Sequence, residues 1–167
     1  MVVDSTGTNL VSGDTNSATD VFMRDRTGGT TTRLSVSTSE AQGTGASSNP
    51  SISGDADRIA FTSAAPNLSS FDTNGQTDAF VRDRSAGTTA RQSVTSKGAE
   101  TSGTSATPAI STDGKTTTFS TTATGLGVGD TNSAADVWWK SSYERGPLGA
   151  LETLIDRQYQ DFDGRLP

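Results

Sequence analysis

Val21-Phe22-Met23, Ala79-Phe80-Val81 and Val137-Trp138-Trp139 are equally spaced triplets of consecutive apolar residues in a largely polar chain. Their surroundings repeat with them. LVSGDTNSATDVFMRDR at 10–26 returns as LSSFDTNGQTDAFVRDR at 68–84 and as LGVGDTNSAADVWWK at 126–140, with no gap needed to align them. Three apolar residues in a row predict a strand covered on both faces, because a strand with one solvated face alternates apolar and polar positions. A fixed period of this size means one supersecondary unit used several times.

The rest of each unit reads as further short strands. Residues 1–5 are the remnant of a strand that recurs at 58–63 and 115–121. After each apolar triplet, TGGT at 27–30 and SAGT at 85–88 predict tight hairpins, since their glycines tolerate turn conformations. TTRLSVS at 31–37 and TARQSVT at 89–95 alternate, as a strand farther from the core would. Long polar loops at 38–49 and 96–107 then lead to Pro50 and Pro108, which open the very short strands PSIS and PAIS. Asp113-Gly114 marks a turn, with Asp55-Ala56 in its place one unit earlier.

This gives four strands per repeat unit with no room for helices between them. A radial array of four-stranded blades accounts for the pattern, because each blade packs both faces against its neighbours. A β-sandwich of short strands is the competing architecture, but it has no reason to repeat at one interval. In an antiparallel meander successive connections alternate ends, so the long loops should gather at one end and the short turns at the other. The fold expected is all-β: a β-propeller fragment of about two and a half four-stranded blades over 1–140. A linker at 141–147 should follow. Leu148, Leu151, Leu154, Ile155, Tyr159 and Phe162 fall at helical spacing, so 148–167 is expected to carry a short C-terminal α-helix.

Composition changes this picture little. Ser and Thr make up 51 of the 167 residues and apolar residues 30%, which on their own suggest disorder, yet the apolar positions recur in strict register. The net charge of −6 is dispersed, with no basic stripe for nucleic acid. No apolar run approaches the roughly 18 residues of a membrane span. Without Cys or His, disulfides, thiol or imidazole chemistry and zinc sites built on those residues are excluded.

PSISGDADRIAFTS and PAISTDGKTTTFS, followed by DVFMRDR and DAFVRDR, resemble the TolB-like β-propeller repeats of bacteria. The resemblance covers residues 1–140 and implies that PSIS and PAIS are innermost strands. On that phasing 50–96 is a complete blade, flanked by two that each lack a strand. LIDRQYQDFDGRLP at 154–167 resembles the opening of a small helical domain of unknown function in bacterial exported proteins. Both resemblances imply a secreted, cell-surface or periplasmic protein, although MVVDSTGTNL does not read as a signal peptide and aligns with an internal strand. Both ends are then expected to be cut from a longer protein.

The candidate chemistry lies in the recurring Asp-Thr-Asn loops. Asp14, Asn16 and Asp20 offer oxygens at the first, third and seventh positions, the spacing that opens an EF-hand-like calcium loop. Asp72, Asn74 and Asp78 repeat the set, as do Asp130, Asn132 and Asp136. Calcium is one reading of these loops. The other is that their side chains bond the backbone and cap the strand that follows. Gly114-Lys115-Thr116 ends like a phosphate loop, but Ala109 stands where such a loop has glycine, and the stretch reads as a hairpin.

Paired carboxylates recur in every unit, whereas a catalytic pair is needed once. The chain is therefore read as a non-catalytic binding or scaffold module, with a protein or glycan ligand on the long-loop end and no cofactor beyond the calcium reading. The alternative is a regulatory or substrate-gating propeller attached to a hydrolase domain outside this chain. Open sheet faces around Phe22, Phe80 and Trp138 are expected to be exposed and to drive self-association.

Overall fold

A computed structural model describes residues 1–127, 130 and 134–141. Among the described residues ten strands form three antiparallel sheets. The first holds β1 (Val2–Ser5), β2 (Asp20–Asp25) and β3 (Thr30–Arg33). The second holds β4 (Ser47–Ile52), β5 (Arg58–Ser63), β6 (Asp78–Asp83) and β7 (Thr88–Arg91). β8 (Ser105–Ile110), β9 (Thr116–Thr121) and β10 (Asp136–Ser141) make the third. Each sheet is a meander in which sequential strands pair, so the second has four strands and its neighbours three. Ser141 ends β10; the remainder of the expected linker and the helix expected beyond it lie outside the described residues. Among the described residues no helix is long and apolar enough to cross a membrane.

The strands that carry the prolines, β4 and β8, begin earlier than the prolines suggest, at Ser47 and Ser105. Pro50 and Pro108 instead sit inside a bulge, where pairing with the next strand shifts between Ser48 and Ser51 and between Ala106 and Ala109. The extra residue before each proline, Asn49 or Thr107, takes a positive φ of 54° or 43°. A bulge tolerates a residue without an N–H because its ladder is already interrupted. The outer strands, β3 and β7 at the edges of their sheets, are shorter than their alternation suggests. β3 stops at Arg33, because Ser35 turns inward to donate to Asp20 at 2.6 Å and leaves the edge.

The sheets stack face to face through two cores. Val21 and Met23 of the first sheet, with Leu34 just past β3, meet Ile59, Phe61 and Phe80 of the second, joined by Ala65 and Leu68 from the β5–β6 loop. Phe61 and Phe80, opposite each other across the ladder, stack with ring centroids 5.9 Å apart. On the other face of β6, Ala79 joins Phe119, Ala123, Leu126 and Trp138 in the core shared with the third sheet. β6 is thus covered on both faces, as its unbroken apolar triplet requires.

Phe22, Phe80 and Trp138 are all buried, which corrects the expectation that apolar faces lie open around them. Phe80 is covered in the core between the first and second sheets and Trp138 in the core between the second and third. Val137 is 49% exposed, at the position where Val21 and Ala79 meet the next sheet.

Polar links repeat between sheets as well. Arg82 of β6 reaches back to Ser37 O at 3.2 Å and to the Glu40 carboxylate, and Lys140 of β10 reaches Val94 O at 2.6 Å. The turns at 26–29, 53–57, 84–87 and 111–115 lie at one end of the strands. The long connections, including 6–19, 34–46, 64–77 and 92–104, lie at the other.

Candidate functional site

The long-loop end holds the repeated Asp and Asn residues, and the fold builds the same buried network from them in the first two units. Asn16 and Asn74 shape their loops: the Oδ1 of each accepts from the backbone two residues on, Ala18 N at 2.9 Å and Gln76 N at 2.7 Å. Their amide nitrogens bridge to the next long loop, at Gly43 O and Thr101 O, both 2.8 Å away. These are Asx turns, in which a short side chain supplies the acceptor that a backbone turn lacks.

Asp20 and Asp78 open β2 and β6 fully buried. Each accepts a 2.6 Å hydrogen bond from a serine just past the outer strand, Ser35 or Ser93. The same hydroxyls accept the backbone N–H of Val21 and Ala79. Buried carboxylates need such partners, since an unpaired charge there costs several kcal/mol, about 3–5 when one partner is removed.

The positive charge comes from an arginine that ends the outer strand. In the first unit Arg33 lies 3.4 Å from Asp14 and 3.5 Å from Asp20, while the Gln42 amide donates to both carboxylates at 3.0 and 3.2 Å. In the second unit Glu100 stands where Gln42 stood. Arg91 now places one nitrogen, Nη1, within 2.7 Å of Glu100, 3.1 Å of Asp78 and 3.5 Å of Asp72. Oxygens of Asp72, Asp78 and Glu100 lie within 4.8 Å of one another, a spacing that suits a metal ion. Arg91 Nη1 contacts all three carboxylates.

The second network therefore carries three carboxylates to one guanidinium, against two to one in the first. Hydrogen bonds from the Thr73 hydroxyl and from Arg91 hold Glu100 at about 2, well below its usual 4.5. Burial, reinforced by the Asp78 carboxylate, pushes Asp72 above the usual range despite Arg91. Asp72 is 2% exposed at its side chain, and its Oδ2 has no hydrogen-bond partner.

The structure thus gathers Asp14, Asn16 and Asp20 into one network, and Asp72, Asn74 and Asp78 into another. In the third unit Asp136 is buried and Asp130 partly so, while Asn132 lies outside the described residues. The sequence reading missed Arg33, Arg91, Ser35, Ser93, Gln42 and Glu100. The signal was present, since the members of each pair stand one repeat unit apart, but the arginines and serines sit in strands read only for their apolar pattern.

At the surface above the second network, Phe71 is 78% exposed. Its carbonyl accepts from Arg91 Nη2 at 2.8 Å, so the loop backbone beneath the ring is tied to the buried network. The first unit has Gly13 at this position. No protein-family model matches the chain, and neither does any curated protein.

Proposed function

We propose that residues 1–140 are part of a TolB-like β-propeller from an exported bacterial protein, and that the chain is a non-catalytic binding or scaffold module with its ligand on the long-loop end. The propeller reading is supported by two sheet-to-sheet cores related by the repeat period and by a four-stranded meander between them. The observation that carries the binding reading is Phe71, an aromatic ring presented on a loop whose backbone is braced from below. The polar residues beneath it are engaged in holding the loops, as fold determinants are, which speaks against catalysis. An exposed ring among hydroxyl and amide groups suits the apolar face of a sugar or a peptide side chain.

Glycan and peptide arrays probed with the intact chain test this, alongside Phe71→Ser at the long-loop end and Ala86→Lys at the short-turn end. Binding that falls at least tenfold in Phe71→Ser and persists in Ala86→Lys is the expected result. Binding lost only in Ala86→Lys would overturn the assignment to the long-loop end. Turnover of a glycoside or ester by the purified chain would overturn the non-catalytic reading.

A further inference from the structure

Among the described residues the large apolar side chains that stand exposed are Met1, Val3, Leu10, Phe71 and Val137. Phe71 lies on the long loops, whereas the others occupy positions that a neighbouring unit buries. One repeat unit along the chain, Met1, Val3 and Leu10 become Ile59, Phe61 and Leu68, which the second sheet and its β5–β6 loop contribute to the first inter-sheet core. Val137 is the counterpart of Val21, and the half-buried Trp139 that of Met23; the first sheet contributes both to that same core.

Each internal core therefore joins a leading side of one sheet, with Val21 and Met23 or with Ala79, to a trailing side of the next, with Phe61 and Phe80 or with Phe119 and Trp138. The first sheet turns its trailing side outward: Val2 packs against the first core, so Val3 points the other way. Phe22, opposite Val3 across the ladder, is buried, and the open part of this side is the strip of Met1, Val3 and Leu10. The third sheet turns its leading side outward, since Trp138 packs into the second core and its neighbours Val137 and Trp139 point away. The two outer sheets thus expose the two halves of a contact that the chain makes internally.

The halves also suit each other in size. Trp139 is larger than Met23 and Val3 smaller than Phe61, so the two differences offset one another across the contact. Leu10 and Val137 keep the residue types of Leu68 and Val21. A polar link is open in the same place. Arg24 stands where Arg82 crosses to Ser37 O and Lys140 to Val94 O in the preceding unit, yet it is exposed and donates to Thr31 of its own sheet at 3.0 Å.

We propose that these two faces bind each other between copies of this chain, the third sheet of one copy stacking on the first sheet of a second. Such a contact runs head to tail: it uses different surfaces on the two partners and ends in a closed ring or an open filament. The contact itself does not rest on the propeller reading, but its closure does. Three sheets from each of two copies make six, within the four to eight blades at which propellers close.

Sedimentation velocity on the intact chain, from about 1 µM to about 1 mM, tests this. A discrete dimer is the expected result. A series that grows with concentration would keep the contact and overturn the closed ring, and with it the propeller reading. A monomer throughout would overturn the contact and assign both faces to repeat units outside this chain. Val3→Asp and Val137→Lys each change one exposed residue on one face, and each alone should weaken association by about tenfold or more. Mixed in equal amounts they should associate again, because one variant keeps an intact leading side and the other an intact trailing side. A mixture that stays monomeric, or undiminished association of either variant alone, would refute the head-to-tail arrangement. Phe71→Ser should associate as the unmutated chain does; loss of association there would move the contact to the long loops.

Discussion

Arg91 Nη1 lies 2.7 Å from the Glu100 carboxylate, whereas one unit earlier Arg33 shares its two aspartates with the neutral amide of Gln42. The same scaffold position therefore tolerates an acid or an amide because both units place an arginine beside it. Replacing Arg91 with Met leaves Asp72, Asp78 and Glu100 without their shared cation. A loss of about 3–5 kcal/mol by urea denaturation is expected. Arg33→Met should cost less, since Gln42 still donates to Asp14 and Asp20.

Glu100 supplies a pH signature. Its folded value of about 2 lies below the ordinary 4.5, so its stabilising contribution is complete above about pH 4.5 and is lost as the pH falls through 2. Glu100→Gln should melt below the unmutated protein at pH 7. Calorimetric scans should show that gap narrowing steadily as the pH falls from 4.5 through 2 and Glu100 takes up the proton that makes it neutral like glutamine.

Calcium should leave the melting temperature unchanged, because Arg91 already contacts the three oxygens that would receive the ion. An ion whose Kd is about one hundredth of its free concentration would instead stabilise the fold by about 2.7 kcal/mol. A thermal scan with and without millimolar calcium separates these outcomes. Asp72→Asn should raise Tm by a few degrees, since it removes a buried charge whose Oδ2 is unpartnered.

Ala56 occupies a left-handed turn position at φ 60°, where the next unit has Gly114 at 69°. Relief of that conformation is worth about 1–2 kcal/mol, while glycine's extra freedom in the unfolded chain costs about 0.5–1. Ala56→Gly should therefore stabilise the protein by about 0.5–1 kcal/mol in chemical denaturation.

Gly45 has the opposite character. A Cβ there would stand 2.6 Å from Ala64 O, and Gly103 makes the equivalent approach to the backbone of Thr122 and Ala123. Backbone cannot swing aside as a side chain can. Gly45→Ala and Gly103→Ala should each destabilise by about 1–3 kcal/mol, read as a lowered denaturation midpoint.

The sequence by itself determined the repeat, the strand count of the middle unit and the two-ended arrangement of loops. Period and apolar spacing are local, additive signals, and Val21, Ala79 and Val137 announce the same strand without reference to anything distant. It also offered the self-bonded turn as one of two readings of the loops at Asn16 and Asn74, and both close such a turn, because an Asx turn needs only residues two apart. Tertiary structure alone decided which polar residues meet. Arg91 joins Asp72 and Glu100 only because the outer strand lies beside the origins of both long loops, a proximity that no short-range pattern encodes. Tertiary structure likewise decided that Phe22, Phe80 and Trp138 are covered within the chain. It also gave Met23 and Val81, similar letters in an alignment, different surroundings. One helps fill a gap between sheets and the other lines a hollow, because packing depends on the summed volume of side chains from separate strands.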